Sequence, residues 1–440
     1  MGYTGMAKRE PANCHAFTNA LKMIFFTILL GAFSGTVIWC FLKLISLCSD
    51  FLWHTVPEKA GTRLLMIPVC AAGGAIVGLM HRSFGDYPEE LDTVMGKIKK
   101  EKYYSYHPMS VMLLCAFLPL VLGASVGPEA GLTGIIAALC FWMGDNVNLA
   151  KQNAAWFSEI GEAVTLGQLF HAPLFGILAV EEPRQTDSSM GEREPSGEKG
   201  TVSIAGPLTK PMKLFFYGLS TASGFLTARG LTLLFGEAME GFPSFSEAEI
   251  HTVDFALLPV YILVGFLLYL IFEKADRLSE KAAEHVPVIA RETVCGVLIA
   301  LMGLFIPIAL FSGEEQMAEL MKDYGVYSAG FLIGVCIVKL ILTAFCIRFG
   351  LKGGHFFPII FACVCMGYGI SMLLFADPSE HLAFAAAIVT ASTLGAQVKK
   401  PFAVSVLMLL CFPAKTLFWI FLSAVISRQL SAFISKEQAA

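Results

Sequence analysis

Two glycine-rich stretches hold the residues best suited to chemistry. The first, Gly123-Ala-Ser-Val-Gly-Pro-Glu-Ala-Gly131, follows one apolar run and opens another, with Pro128 where the first turn of a helix tolerates proline. Glu129 therefore falls in a first helical turn. A helix start inside a membrane aims unpaired backbone N–H groups and the positive end of the helix dipole at whatever lies ahead, and glycines let a ligand approach that backbone. That arrangement suits an anion. An ionised Glu129 only accepts hydrogen bonds, so it can occupy the anion's place until protonation releases it, which makes it a candidate gate. The plainer alternative, a carboxylate that complements a helix dipole at the membrane surface, carries less weight because intramembrane carboxylates are usually functional.

The second stretch, Phe349-Gly-Leu-Lys-Gly-Gly-His-Phe-Phe-Pro358, also leads from an apolar run into an apolar helix, so a second set of amides can face the same point. His355 is either a proton carrier or ligand, or a structural hydrogen-bonder beside Phe356 and Phe357; the latter is the commoner use of a lone histidine, and no catalytic role is assigned to it. Gly123-Ala-Ser125-Val-Gly127 also fits the G-x-S-x-G pattern of serine hydrolases. That nucleophile needs a strand-to-helix turn and a positioned base; no strand is predicted here, and His171 lies in no recognisable motif, so enzyme chemistry is not expected. Glu181 and Glu182 close an apolar run, either as ordinary surface charges or as the mouth of a proton route.

The elements that must position these residues are membrane helices. Of 440 residues 56% are hydrophobic and only 15% charged, far from the soluble average of about 25% charged. The charge-free runs Met23–Leu42, Pro108–Pro128, Phe255–Phe272 and Thr293–Ser312 are 18 to 21 residues long, enough to cross a hydrocarbon core about 30 Å thick. The runs Ala130–Gly144, Tyr324–Val338 and Pro401–Ala414, of 14 or 15 residues near Gly or Pro, are expected to stop part-way across. No series of alternating ten-residue segments suggests a barrel. The fold class is an all-α polytopic membrane protein. Met1–Asn19 lacks the layout of a signal peptide, so the first apolar run is expected to be retained as a span.

A net charge of −4 argues against a nucleic-acid partner. The basic residues cluster in the stretches Lys97–Lys102, Arg184–Lys213 and Lys274–Arg291, which the positive-inside rule places in the cytoplasm. Twelve cysteines, among them Cys40, Cys115, Cys140, Cys336, Cys346, Cys363 and Cys365, lie in apolar stretches without metal-ligand spacing and read as buried small hydrophobes. No metal and no cofactor is expected.

The polar stretch Glu181–Lys213 divides the chain into two comparable halves. Gly123 and Gly127 align with Gly350 and Gly354 at an offset of 227, while Thr165-Leu166-Gly167 and Pro173 align with Thr393-Leu394-Gly395 and Pro401 at 228. One register holding over about fifty residues points to an internal repeat. The expected organisation is a first transmembrane repeat over 1–182, a cytoplasmic linker over 183–213 and a second repeat over 214–440.

These motifs resemble the CLC superfamily of chloride channels and proton-coupled anion exchangers. Gly127-Pro-Glu129-Ala-Gly131 is similar to the family's Gly-Arg/Lys-Glu-Gly-Pro motif, and Gly354-His-Phe-Phe-Pro358 fits its Gly-x-Phe-x-Pro motif. Phe170-His-Ala-Pro-Leu-Phe-Gly resembles the stretch leading to a family glutamate pair, and Lys339 with Thr343 matches a Lys-x-x-x-Thr before the second glycine motif. The resemblance implies inverted repeats of tilted and partly spanning helices, a homodimer with one pore per subunit, and a multi-pass location in the cell membrane. It also implies an anion path along Gly85, Gly127, Glu129, Ala130, His355, Phe356 and Phe357, with Glu129 as the gating glutamate.

Departures from the pattern are specific. Phe84-Gly-Asp-Tyr-Pro88 stands where the family has Gly-Ser-Gly-Ile-Pro, so Gly85 replaces the anion-coordinating serine. Pro128 replaces the basic residue before the gate, and no tyrosine follows Tyr368. Glu182 aligns with the first glutamate of the pair and is the candidate for a proton pathway, whereas Pro183 takes the second position. The expected function is transmembrane transport of a small anion, chloride foremost, with protons as a possible second cargo. The alternatives are a proton-coupled antiporter for fluoride or another small anion, and a non-conducting membrane scaffold.

Overall fold

The computed structural model describes residues 12–89, 93–94, 97, 101, 103–146, 160–161, 163–165, 167, 210–236, 243–245, 247–409 and 411–437. Among these, helices dominate and extended pairing is limited to a single bridge. In chain order they are α1 (Ala12–Asp50), α2 (Val56–Ala60), α3 (Met66–Phe84), α4 (Met109–Val121), α5 (Glu129–Asn146), α6 (Lys210–Phe235) and α7 (Thr252–Glu284). There follow α8 (Val288–Phe305), α9 (Glu314–Lys322), α10 (Ala329–Arg348), α11 (Phe356–Leu374), α12 (Leu382–Val398), α13 (Pro401–Met408) and α14 (Leu417–Glu437). Seven segments among the described residues are long and apolar enough to cross a membrane, and α4, the Glu129–Trp142 part of α5 and α12 are shorter apolar helices.

Small residues let these helices approach closely, as packing without a hydrophobic drive between them requires. α3 and α8 meet where Gly74 lies against the Glu292 carbonyl and Gly296 against the Cys70 carbonyl. α1 meets α6 where Gly31 faces the Ser220 carbonyl. The centre is formed by α11 and α12, on which Phe357–Gly369 and Leu382–Ala396 are buried throughout. Large apolar side chains such as Leu233, Phe305 and Phe418 are exposed on the outside, an arrangement that an apolar surrounding tolerates.

Three spans differ from the expectation. Thr293–Ser312 is helical only as far as Phe305, where α8 ends, and the rest of the run forms a turn and loop. Pro108–Pro128 does not form one crossing helix, because α4 ends at Val121 and Gly123 turns the chain with φ +83°. Conversely, Tyr324–Val338 does not stop part-way. Ser328 caps the helix start by accepting from the Phe331 N–H at 3.3 Å, and α10 runs on through Lys339 to Arg348. The Lys339 ammonium that ended the apolar run in sequence is solvated inside the protein by carbonyl partners described below. Pro401–Ala414 does contain a short helix, the eight-residue α13. Most described cysteines are buried, as expected of small hydrophobes, but Cys40 is exposed.

Candidate anion site at two paired helix starts

The two glycine motifs meet. Gly127 and Gly354 form an antiparallel bridge in which each N–H donates to the other's carbonyl at 2.7 Å. Both connections are built alike: a helix ends, a glycine with positive φ (Gly123 at +83°, Gly350 at +94°) turns the chain, the bridging glycine follows, and a new helix begins two residues later. No side chain fits at the bridge. A Cβ on Gly354 would overlap the Glu129 carboxyl, and one on Gly127 would overlap its Oε2.

Glu129 is the first residue of α5 and 5% exposed. Its Oε1 accepts from the backbone N–H of Phe356, the first residue of α11, at 3.1 Å, and the Phe357 amide lies beside the same carboxylate. Oε2 has no hydrogen-bond partner among the described residues. A carboxylate thus occupies the positive end of a helix that begins inside the protein, the location at which a helix binds anions.

Two loops are locked around this point. Buried Lys339 donates to the carbonyls of Ala309, Leu310 and Phe311 at 3.2, 2.8 and 2.7 Å, and its ammonium also lies 5.3 Å from the Phe361 ring centroid. Phe311, at φ +57°, donates its N–H to the Gly123 carbonyl at 3.1 Å. One turn after Lys339, Thr343 bonds back to the Lys339 carbonyl at 2.8 Å and meets Ser125 at 2.9 Å. The Lys-x-x-x-Thr pair therefore clamps the 309–311 loop and the 123–127 loop to α10. Ser125 is buried in that clamp, with no strand before it, which is not the setting of a hydrolytic nucleophile.

A cavity of about 340 Å³ adjoins the gate, lined in part by Val126, Pro128, Phe311, Ser312 and Glu314. Glu314, the first residue of α9, is buried and accepts from the Ser312 hydroxyl at 3.0 Å. Burial pushes its carboxyl up to about 8; the Ser312 bond opposes the shift, and the charge of Glu129 adds to it.

The other sequence candidates divide. Ala130 is buried in the first turn of α5 beside the gate. Gly127 brings no free amide, since its N–H is engaged by Gly354. The His355 ring lies 4.7 Å from that of Phe356 and 6.1 Å from that of Phe272, in a packed aromatic setting. Gly85 sits in a different cluster: its N–H donates to the His81 carbonyl at the end of α3, near Asp86, Tyr87 and the buried Glu292. Glu181, Glu182, His171 and Pro173 lie outside the described residues, as does most of the polar stretch. The His81–Glu292 pair and Glu314 were not singled out in the sequence. Glu292 directly precedes the charge-free run starting at Thr293 and so looks like the edge of a polar loop, and Glu314 looks like an ordinary acidic helix start.

Residues 73–432 match the family described as voltage gated chloride channel. The chain is 22% identical over 349 residues to "Putative ion-transport protein YfeO" of Salmonella typhimurium, covering 77% of this chain and 78% of that protein. It is 22% identical over 390 residues to "Chloride channel protein CLC-e" of Arabidopsis thaliana, covering 80% of this chain and 50% of that one. Among solved structures, a slow cyanobacterial Cl−/H+ antiporter superposes with a TM-score of 0.74 at 16% identity, over 92% of this chain and 93% of the other. A CLC-type fluoride/proton antiporter superposes with a TM-score of 0.69 at 18% identity, over 94% and 95%. At these identities the structural likeness speaks for the fold.

Proposed function

Because this chain belongs to the voltage gated chloride channel family, we propose that it carries small anions, chloride foremost, across the bilayer along a path that Glu129 opens and closes. The observation that carries this reading is the hydrogen bond from the Phe356 amide to the Glu129 carboxylate: the gate rests where an anion would bind. An anion and an ionised Glu129 compete for one helix start, and only one negative charge fits there. Protonation removes the carboxylate's charge and its claim on the amide, so the anion can enter. Phe356 and Phe357 then supply the amides, while the Gly127–Gly354 bridge holds the two helix starts in register. The protein acts as a transporter or channel and not as an enzyme. A homodimer with one pore per subunit, two repeats over 1–182 and 214–440, and a cytoplasmic linker between them complete the reading.

A second reading, transport of fluoride, is favoured by one observation. Gly85 offers no side-chain hydroxyl where the family places its anion-coordinating serine, so the inner end of the path selects anions differently. The test is to reconstitute purified protein in liposomes and to measure chloride and fluoride efflux with wild type and Glu129→Ala. Efflux of either anion by wild type, with an altered pH dependence in the variant, supports transport and the gate. Efflux of neither would overturn the transport reading in favour of a non-conducting scaffold.

A further inference from the structure

The first span, Leu21–Ala60, is helical throughout but not α-helical throughout. Between α1 and α2 the residues Phe51–Thr55 form a π-helical turn, flanked by Asp50 and Val56 in ordinary helical conformation. Such turns are rare, because they give up the regular bonding of the α-helix, and they fall frequently at functional sites. The side chain at the centre of this one, Trp53, reaches the connections around the gate.

Its Nε1–H donates at 3.2 Å to the carbonyl of Val121, the last residue of α4, and so satisfies one of the carbonyls that a helix end leaves open. Its ring lies against Gly123, where the chain turns, and against Gly303 of α8; a Cβ on either glycine would press into the indole. The Phe311 ring meets it edge-on, with centroids 5.8 Å apart. Phe311 has φ +57°, which a bulky side chain adopts only where its surroundings enforce it. Here its N–H donates to Gly123, its carbonyl accepts from Lys339, and its ring packs on Trp53. The 123–127 loop is thus fixed at its end by the Gly354 bridge, in its middle by Thr343, and at its start by Trp53 and Phe311. Ser125 and Thr343 are fully buried, whereas Trp53 and Phe311 line the cavity beside Val126 and Pro128, the approach to Glu129.

We propose that Trp53 is a positioning residue of the gate: by fixing where the 123–127 loop starts, it holds α5 so that the Glu129 carboxylate reaches the Phe356 amide. Its action passes through Gly123 and Phe311. With this wedge loosened, the carboxylate holds the amide less firmly and yields to an anion more readily. The π-turn is what brings the indole to this place on an otherwise regular span. The proposal deepens the anion-transport reading and rests on it.

The test is efflux of chloride and of fluoride from liposomes at neutral pH with wild type, Trp53→Phe, Glu129→Ala and the double variant. Trp53→Phe removes the N–H that Val121 accepts and keeps an aromatic ring. It is expected to raise efflux about threefold or more, the scale of one neutral hydrogen bond. The same substitution should leave efflux unchanged in the Glu129→Ala background, where there is no carboxylate to position; a merely structural role would change both backgrounds alike. Unchanged or lowered efflux in Trp53→Phe, or an equal change in both backgrounds, overturns the proposal while leaving anion transport standing. Absence of efflux in wild type overturns the transport reading and this role with it. Should Trp53→Phe fail to fold, a chain whose other four tryptophans are changed to Phe keeps Trp53 as its sole indole emitter. His54 and Glu314 line the same cavity and titrate with or without the gate, so the difference between two acid titrations decides. A part of the emission shift that is lost in Glu129→Gln supports the proposal, and identical titrations overturn it.

Discussion

The Glu129 carboxylate accepts a 3.1 Å hydrogen bond from the backbone amide of Phe356, and these two residues, 227 positions apart, are each the first residue of their helix. The offset equals the one that aligns Gly127 with Gly354, so equivalent positions of the two motifs are in physical contact. One helix start donates the amide and the other supplies the anionic stand-in.

Removing that stand-in frees the amide. Glu129→Ala is expected to raise anion affinity about tenfold or more, since a hydrogen bond to a charged group contributes about 1.5–3 kcal/mol and the variant no longer competes for it. Anion flux in the variant loses its dependence on pH. Isothermal titration with chloride and fluoride, together with efflux across acidic to neutral pH, measures both.

Gly354 has no room for a methyl group because the Glu129 carboxyl fills that space. Gly354→Ala is expected to destabilise the protein by about 1–3 kcal/mol, as overpacking does. The cost should fall in a Glu129→Ala background, where the clashing group is absent. A double-mutant cycle of thermal unfolding in detergent shows the coupling, and equal costs in both backgrounds would refute the packing account.

Lys339 holds three consecutive carbonyls of the 309–311 loop. Lys339→Met leaves all three without that donor in a buried setting, at about 1–3 kcal/mol for each unsatisfied group. A loss of at least about 3 kcal/mol is expected, seen as a large drop in melting temperature by size-exclusion fluorescence. Leu233→Ala, at an exposed position, should change little.

Glu314 gives stability a pH dependence of known sign. Its carboxyl lies near 8 in the fold against an ordinary value of 4.5, so between those values the folded protein binds more protons than the unfolded chain. Stability is therefore highest at the acid end of that window and declines as pH rises through it. Glu314→Gln should flatten this part of the profile, measured as melting temperature against pH; an unchanged slope would mean that Glu314 is not the group responsible.

Much was legible along the chain. Glycine and proline fix backbone conformation locally, so both helix starts, the place of Glu129 in a first turn and the common register of the two motifs followed from residue types and spacing. Low charge and long apolar runs required a membrane helix protein, because backbone polar groups in lipid must be satisfied within the helix. Span lengths were less legible. Gly123 cut one apolar run short, while Lys339, neutral to sequence patterning only when its buried carbonyl partners are known, let α10 continue.

Tertiary structure alone decided which distant groups touch. Nothing near Glu129 in sequence indicates that Phe356 will donate to it, and nothing near Glu292 indicates that His81, 211 residues earlier, will lie within hydrogen-bond distance of it. A hydrophobic pattern records which side chains avoid water over a turn or two of helix. Partners for a buried charge are set by how helices cross, and in this chain small residues such as Gly74 and Gly296 let α3 and α8 close around the His81–Glu292 pair.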